Sequence, residues 1–274
     1  MPAVALALAL AAALIHASWN LLVARSEDPQ SATALAAVAS VVLPLPLVLA
    51  TWDATPAVLW FAVASGALEL GYLVLLAAAY RRSELSLVYP LARGLAPVLV
   101  LVGGIVVLGV AHLAAQVAGI GLVAVGIVLV RGFRGGAPLP HVILAVAIAC
   151  CIAGYTTLDK TGVTHAGPIT YYELVMGWPS VAYLGGLIAT RGLAPARREL
   201  RPATLLAGIG MFGAYAMALA ALQLAPAASV AAVRETSVVM ATAMSAALLR
   251  ESVGPRRMAG AALVAAGVAA LALG

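Results

Sequence analysis

Two arginines stand inside long apolar stretches of this 274-residue chain, where a charge is least expected. Arg93 lies in the string SLVYPLARGLAPV, and Arg234 lies in ASVAAVRETSVV. An arginine at the centre of an apolar membrane helix costs on the order of 2.5–3.5 kcal/mol, and such residues usually face a bundle interior or a wet cavity. A guanidinium group can hold a carboxylate or a phosphonate through two parallel hydrogen bonds. The two arginines are therefore candidates for binding an anionic group, or else structural residues that lock helices together.

Carboxyl groups also stand inside apolar stretches. Glu69 lies near the centre of the run 57–79, where a carboxylate is most costly in a bilayer. A buried acid that gains and loses a proton would suit proton coupling, and a static ion pair with Arg93 is the alternative. Glu235 follows Arg234 directly, so the two side chains point about 100° apart on a helix and need not pair. Glu69 and Glu235 are the candidates for proton coupling.

Aromatic and polar side chains accompany these charges. In the string HASWN, the residues His16, Trp19 and Asn20 share one helix face at spacings i, i+3 and i+4. A histidine, an indole and an amide together favour a cavity wall, and a hydrogen-bonded packing histidine is the alternative. The predicted substrate-binding residues are His16, Trp19, Asn20, Tyr72, Tyr89, Arg93, Tyr155, Tyr215 and Arg234.

Prolines flank Arg93 on both sides, at Pro90 and Pro97. Because proline lacks a backbone donor, Pro97 leaves the carbonyl of Arg93 without its helical partner. Irregular backbone at membrane depth is tolerated where it lines a cavity. The spacing therefore predicts a broken helix beside Arg93.

A separate aromatic group occurs in the string PITYYELVMGWP, which contains Tyr171, Tyr172, Glu173 and Trp178. Tyrosine and tryptophan are enriched at the two interfaces between membrane and water. This string therefore predicts an interfacial aromatic belt rather than a binding site.

Composition decides what kind of scaffold carries these residues. The chain is 64% hydrophobic and 9% charged, with a mean hydropathy of +1.10, which excludes a soluble domain. Its net charge of +5 comes mostly from arginines in short loops, where they set topology, so we expect membrane lipids and no nucleic acid as partners. The chain is predicted to be a multi-pass protein of the cell inner (plasma) membrane.

Ten apolar runs are long enough to cross about 30 Å of hydrocarbon. Short breaks rich in arginine, glycine or proline separate most of them. The runs cover residues 2–24, 31–50, 57–79, 86–108, 112–130, 140–160, 169–190, 202–224, 227–249 and 255–273.

The basic residues orient these ten predicted helices. Twelve of the fifteen lysines and arginines lie in the loops after the odd-numbered helices. Basic loops stay in the cytoplasm, so we expect the odd loops to be cytoplasmic and both termini to lie outside.

The chain also repeats itself. Arg234 lies 141 residues after Arg93, and the string AGAALVAAG from Ala259 lies 141 residues after AGIGLVAVG from Ala118. We infer two copies of one unit, over 1–133 and 138–274. Because five helices are an odd number, the copies must have opposite orientations. The predicted fold class is an all-α membrane protein with ten transmembrane helices in two inverted five-helix repeats, an arrangement typical of secondary transporters.

Signatures of other chemistries are missing from the sequence. It contains no G-x-x-x-x-G-K-[ST] string, its four histidines lack metal-ligand spacing, and no nucleophile, base and acid group is apparent. We therefore expect no enzyme activity, no metal and no cofactor.

The order of these features resembles the EamA family of the drug/metabolite transporter superfamily over the whole chain. The resemblance lies in the two five-helix repeats, in the ending LLRESVGPRRMAGAALVAAGVAAL, in HASWN, and in Glu251 between the last two helices. The first repeat departs from the pattern by having Val110 where Glu251 would align. The resemblance implies a carrier or exporter of small metabolites, often amino acids, with a cavity enclosed by helices 1, 3, 4, 6, 8 and 9.

The preferred hypothesis is therefore a secondary transporter of small polar metabolites, such as amino acids or related anionic compounds, by alternating access around a midplane cavity. Its partners would be a small-molecule substrate and protons, and it would act as a monomer or a homodimer. A flippase-type protein that handles lipids is the alternative from another class.

Overall fold

A computed structural model describes residues 1–81, 85–108, 114–131, 139–249 and 254–273, and these ranges contain helices and no strand. The helices are α1 (Ala3–Ala24), α2 (Pro29–Val42), α3 (Leu45–Ala50), α4 (Val58–Arg81), α5 (Leu85–Leu108), α6 (Ala114–Arg131), α7 (Leu139–Gly162), α8 (Pro168–Arg191), α9 (Leu193–Arg198), α10 (Pro202–Leu224), α11 (Ala227–Arg234), α12 (Thr236–Leu249) and α13 (Pro255–Leu273).

Each predicted apolar run contains helix, with ends within two residues of the predicted ones. Two runs are divided: the run 31–50 into α2 and α3, and the run 227–249 into α11 and α12. Pro44 and Pro46 explain the first division, because they withdraw two backbone donors from one helical turn. The short helix α9 lies in the arginine-rich segment between α8 and α10.

Five helical segments of the described ranges are both long and apolar enough to cross a membrane. Two shorter apolar segments, Leu91–Val106 and Ala114–Val130, accompany them. This helical composition fits a multi-pass membrane protein. The five long segments are Ala3–Ala24, Pro29–Ala50, Val58–Ala79, Leu139–Gly162 and Pro202–Leu224.

The prediction of a broken helix beside Arg93 is wrong. Helix α5 continues through Pro90 and Pro97, because losing single hydrogen bonds does not end a helix that is packed among others. The interruption lies instead at Glu235, between α11 and α12. There the backbone N–H of Glu235 is shared between the carbonyls of Ala231 and Ala232, at 3.3 and 3.2 Å.

The helices pack in reciprocal pairs. Helix α1 packs along α10, and α4 packs along α7. Likewise α2 contacts α10 and α4 contacts α8, while α5 contacts α7 and α1 contacts α11 and α12. These contacts between helices before residue 131 and helices after residue 139 therefore form pairs in which the two halves of the chain are exchanged.

Helices α6 and α13 cross closely through glycines. A Cβ atom on Gly126 would lie 2.7 Å from the carbonyl oxygen of Gly260, and one on Gly119 would lie 2.8 Å from that of Gly267. The earlier glycine of each helix meets the later glycine of the other, so the two helices run in opposite directions. The absence of side chains lets their backbones touch, as is common between membrane helices.

Charged side chains hold one end of the bundle together. Arg191 pairs with Asp28 at 2.8 Å, and Arg201 pairs with Glu27 at 2.8 Å. These contacts join the α1–α2 loop to the last residue of α8 and to the segment between α9 and α10. We call this end the arginine-rich end. Partial burial alone would raise the pKa of Asp28, but the hydrogen bonds from Arg191 and Ser31 outweigh it and lower that pKa. The hydrogen bond and charge of Arg201 lower the pKa of Glu27.

Hydrogen bonds between two loops hold the opposite end of the bundle, which we call the arginine-poor end. The carboxylate of Asp53 accepts the backbone N–H of Gly167 at 2.9 Å, just before the first turn of α8. The backbone N–H of Thr55 donates to the carbonyl of His165 at 3.0 Å. The loop after α3 is thereby fixed to the loop before α8.

Candidate functional site

Arg93 of α5 lies at the meeting point of three segments. Its Nη1 is 3.0 Å from Oε1 of Glu235, and its Nη2 is 2.8 Å from Nε2 of His16 on α1. Arg93 and Glu235 are 6% and 3% exposed, so the ion pair is closed off from the surface. The pair joins residues 142 positions apart and connects the first half of the chain to the second.

Glu235 occupies the turn that separates α11 from α12, which lets its carboxylate point towards α5. Only its Oε1 has a partner, because Oε2 is buried without a hydrogen bond to any described residue. A buried carboxylate oxygen without a partner is unusual and costs free energy. The oxygen is therefore available to a proton or to a polar group of a ligand.

Arg234 is the last residue of α11, directly before Glu235, and it contacts an aromatic ring. Its Cζ is 5.8 Å from the ring centroid of Tyr215 on α10, a cation–π distance. Within the described ranges its guanidinium forms no ion pair. Arg234 thus carries a positive charge that no carboxylate neutralises by direct contact, next to the neutralised Arg93.

Asp159 of α7 forms the densest group of polar contacts. Its Oδ1 accepts from the hydroxyl of Ser65 at 2.5 Å and from that of Tyr171 at 3.1 Å, and its Oδ2 accepts from that of Tyr215 at 2.6 Å. The donors come from α4, α8 and α10, and Asp159 is 1% exposed. Three hydroxyl donors can stabilise a carboxylate where water is excluded.

Asp159 was missed as a site residue from the sequence. A carboxylate one residue before the end of the run 140–160, next to Lys160, is easily taken for part of a helix end. The signal that could have found it is its position on the same side of the helix as Tyr155 and Thr156.

A series of tyrosine rings connects these groups. The centroids of Tyr72 and Tyr155 are 6.5 Å apart, those of Tyr155 and Tyr215 are 6.3 Å apart, and those of Tyr172 and Tyr215 are 5.4 Å apart. Such distances suit edge-to-face and tilted aromatic contacts. The structure therefore brings Tyr72, Tyr155 and Tyr215 together, as neighbours of Asp159 and Arg234.

Glu69 of α4 is 7% exposed and lies among these groups. It is close to the hydroxyl of Tyr215 and within electrostatic range of Asp159 and Arg234. The static ion pair that the sequence left open for Arg93 involves Glu235 and not Glu69. Glu69 is thus a buried carboxyl without an ion pair at 4 Å or less among the described residues.

The three predicted residues of HASWN have different environments. His16 contacts Arg93, and the ring of Trp19 meets the ring of His16 edge-on at 5.0 Å. The indole Nε1 of Trp19 is buried without a hydrogen-bond partner among the described residues. Asn20 donates its side-chain N–H to the carbonyl of His16 at 2.8 Å, within its own helix.

Some predicted positions lie outside the described part of the chain. Tyr89 belongs to α5, but its side chain falls outside it, as do the residues Val110 and Glu251 that were compared between the repeats.

The prediction of an interfacial belt around residues 171–178 is wrong for its tyrosines. Tyr171 and Tyr172 are both 0% exposed. Tyr171 donates to Asp159, and the hydroxyl of Tyr172 donates to Ser40 of α2 at 2.6 Å. The first two turns of α8 are packed between other helices, so these phenols find partners inside the bundle. Only Trp178, which is 41% exposed, has the exposure expected of a belt residue.

The chemistry of this arrangement is that of binding and charge compensation. Two guanidinium groups and three carboxyl groups lie within one region of buried tyrosines, and they come from four helices and the turn between α11 and α12. Among the described residues, no group of three histidine, cysteine or acidic side chains has a metal-site arrangement. The region can hold a charged small molecule or a proton.

The chain is similar to a known protein family in sequence and to a solved structure in fold. Residues 139–273 match the model of the EamA-like transporter family. A crystal structure of a protein with 18% sequence identity superposes on 100% of this chain and 98% of its own, with a TM-score of 0.80. At that identity the likeness concerns the fold alone. No curated protein matches the chain in sequence.

Proposed function

We propose that this chain, which belongs to the EamA-like transporter family, is a secondary transporter of small polar metabolites such as amino acids or related anionic compounds. Transport would follow an alternating-access mechanism around a cavity at mid-depth in the membrane. The family makes the chain a membrane transporter, and the polar groups inside the bundle support the class of substrate.

The architecture of this proposal is ten membrane-spanning segments in two inverted repeats, 1–133 and 138–274. The reciprocal packing of the helices supports it, because an inverted repeat relates each contact to a second one by a two-fold axis in the membrane plane. The crossing of Gly119 with Gly267 and of Gly126 with Gly260 has the same symmetry. The protein would lie in the inner membrane of the cell. Its arginine-rich end would face the cytoplasm.

The ion pair between Arg93 and Glu235 is the observation that carries the proposal. A buried pair of this kind rarely adds net stability, yet removing one partner typically costs about 3–5 kcal/mol. A group that displaces Glu235 must therefore pair with the guanidinium of Arg93 as well as Glu235 does. An anionic substrate meets that requirement, and it would separate α5 from the α11–α12 turn as it binds.

The other residues have supporting roles in this proposal. Arg234 provides a second positive charge, and His16, Trp19, Asn20, Tyr72, Tyr89, Tyr155 and Tyr215 line the cavity. Glu69 and Glu235 are the proposed proton-coupling groups. The unpartnered Oε2 of Glu235 supports a proton-coupling role for this residue. Glu235 can accept a proton when an anionic substrate replaces it as the partner of Arg93.

The test begins with a thermal-shift screen of the purified protein against amino acids, organic acids, phosphonates and amines. A ligand that binds the folded state raises the melting temperature. Compounds that do so are then tested for counterflow in proteoliposomes, with Arg93→Ala as the non-binding control. Counterflow of an anionic compound supports the proposal, whereas lipid scrambling without counterflow would favour a lipid-handling protein.

A further inference from the structure

A cavity of about 320 Å³ lies at the arginine-poor end of the bundle, apart from the buried polar region. It is bounded by α5, by the last turns of α7 and α10, and by the first turn of α11. Its lining includes Val100, Lys160, Leu224, Pro226 and Ala228. The cavity is large enough for a small organic molecule.

Lys160 is the charged residue of this lining. Its Nζ donates to the carbonyl oxygens of Leu222, at 2.5 Å, and Ala225, at 3.1 Å. These acceptors are neutral, and within the described ranges no carboxylate pairs with the ammonium to neutralise its charge. An ammonium group has three donors, so one remains for a ligand.

The start of α11 adds to the positive potential. Pro226 stands at its N-cap without a side-chain hydrogen bond to the first turn, and Ala227 and Ala228 of that turn line the cavity. The first N–H groups of a helix have no intrahelical acceptor and favour an anion. The remaining lining is mostly apolar, and low-dielectric walls concentrate the field of a fixed charge.

Helix geometry places this cavity on the arginine-poor side of the ion pair between Arg93 and Glu235. Val100 and Gly104 follow Arg93 by seven and eleven residues, so all three lie on one face of α5. Ala228 precedes Glu235 by seven residues, or two turns of about 5.4 Å each. The faces that line the cavity therefore lead, about 10 Å further into the bundle, to Arg93 and Glu235.

We propose that this cavity is an anion-binding vestibule, in which Lys160 holds the acidic group of an organic anion while its apolar part lies against Val100, Leu224 and Pro226. Its place on the path to Arg93 rests on the transport function proposed above. The positive charge of Lys160 would concentrate anions at the arginine-poor side of the membrane before they reach the ion pair.

The test uses charged thiol reagents and needs no substrate. The full chain carries Cys150→Ser, Cys151→Ser and Ala227→Cys, which leaves one thiol in the cavity. Intact cells are treated from outside with the anionic reagent MTSES or the cationic reagent MTSET, and each rate is divided by that of a free thiol. We expect the ratio of the normalised MTSES rate to the normalised MTSET rate to be about ten times higher with Lys160 than in the Lys160→Gln variant. The matched control is Lys160→Arg, which keeps the charge and should keep the preference.

Equal normalised rates with Lys160 and with Lys160→Gln would overturn the proposal, as would a thiol that does not react from outside. If Lys160→Gln fails to fold, the salt dependence replaces it: raising the ionic strength from about 0.05 to 0.5 M should remove most of the preference, and an unchanged ratio would count against Lys160. A preference for anions in a protein that shows no counterflow would keep the vestibule and reject the transport function.

Discussion

The hydroxyl of Tyr215 donates a 2.6 Å hydrogen bond to Asp159, and the guanidinium of Arg234 lies over the same ring at 5.8 Å. One side chain of α10 therefore connects a buried carboxylate of α7 to a positive charge of α11. We therefore expect the orientation of Arg234 to depend on the hydrogen bond between Tyr215 and Asp159.

Tyr215→Phe removes this connection while keeping the ring. We expect the apparent affinity for an anionic substrate to fall several-fold, because the ring under Arg234 loses its fixed orientation, and stability to fall by about 1–2 kcal/mol. The affinity is measured by proteoliposome uptake and the stability by thermal melting. Tyr171→Phe is the matched control, since it removes a hydrogen bond from the same carboxylate without touching Arg234. An equal loss of affinity in both variants would mean that the effect does not act through Arg234.

Replacing Arg93 by Ala should abolish binding of an anionic substrate. The variant leaves Glu235 without its partner, and this carboxylate then takes up a proton, which limits the loss of stability. The double variant Arg93→Ala with Glu235→Gln should lose less stability than the sum of the two single losses, because the residues form one pair. Melting temperatures and isothermal binding measure the two effects. Unchanged binding in Arg93→Ala would make this arginine purely structural.

Glu69→Gln tests the proton-coupling role. The amide keeps the volume of the side chain but cannot exchange a proton, so uptake driven by a pH gradient should fall at least tenfold while counterflow at equal pH remains. The comparison is made in the same proteoliposomes with an imposed gradient and without one. Glu173→Gln is the control, since it removes a half-buried carboxyl from α8. Unchanged gradient-driven flux in Glu69→Gln would exclude the coupling role.

Gly126→Ala should destabilise the protein through the crossing of α6 and α13. Its new methyl group would meet the backbone of Gly260, and overpacking of this kind costs about 1–3 kcal/mol. Gly121→Ala is a matched control on the same helix, because a Cβ atom there meets nothing within 4 Å. Thermal melting in detergent compares the two variants, and equal melting temperatures would show that this crossing does not limit helix packing.

The ion pair between Asp28 and Arg191 should make stability depend on pH at the arginine-rich end. Because the folded pKa of Asp28 is lowered, its contribution is fully present above the ordinary aspartate pKa, about 3.9, and is lost as pH falls through the lower folded value. The contribution is at most about 1 kcal/mol, since solvent screens the pair. Melting curves between pH 3 and pH 7 should show a smaller acid-induced loss for Asp28→Asn than for the unchanged chain. Identical curves would contradict this assignment.

The positions of the helices followed from the sequence, whereas two predictions of local structure did not hold. Pro97 did not break α5, because packing against neighbouring helices outweighs one missing hydrogen bond. Tyr171 and Tyr172 were buried rather than interfacial, because their hydroxyls found Asp159 and Ser40 on other helices. Both errors arose where tertiary contacts outweigh the preference of a short string.

The sequence also pointed to most of the buried polar residues, but not to their partners. The cost of a charge in an apolar run singled out Arg93, Arg234 and Glu69. It could not show that Arg93 pairs with Glu235, because that contact depends on how two helices are rotated and on the turn between α11 and α12.

The sequence by itself thus determined membrane residence, helix limits and the 141-residue spacing between similar strings, since each can be read from the order of residues along the chain. Only the tertiary structure decided which polar groups meet: the enclosure of Asp159 by three hydroxyls, the pairing of Arg93 with Glu235, and the cavity beside Lys160. The physical reason is that hydrogen bonds and ion pairs act over about 3 Å. Their partners are therefore set by the rotation and crossing of helices, which the order of residues along one helix does not specify.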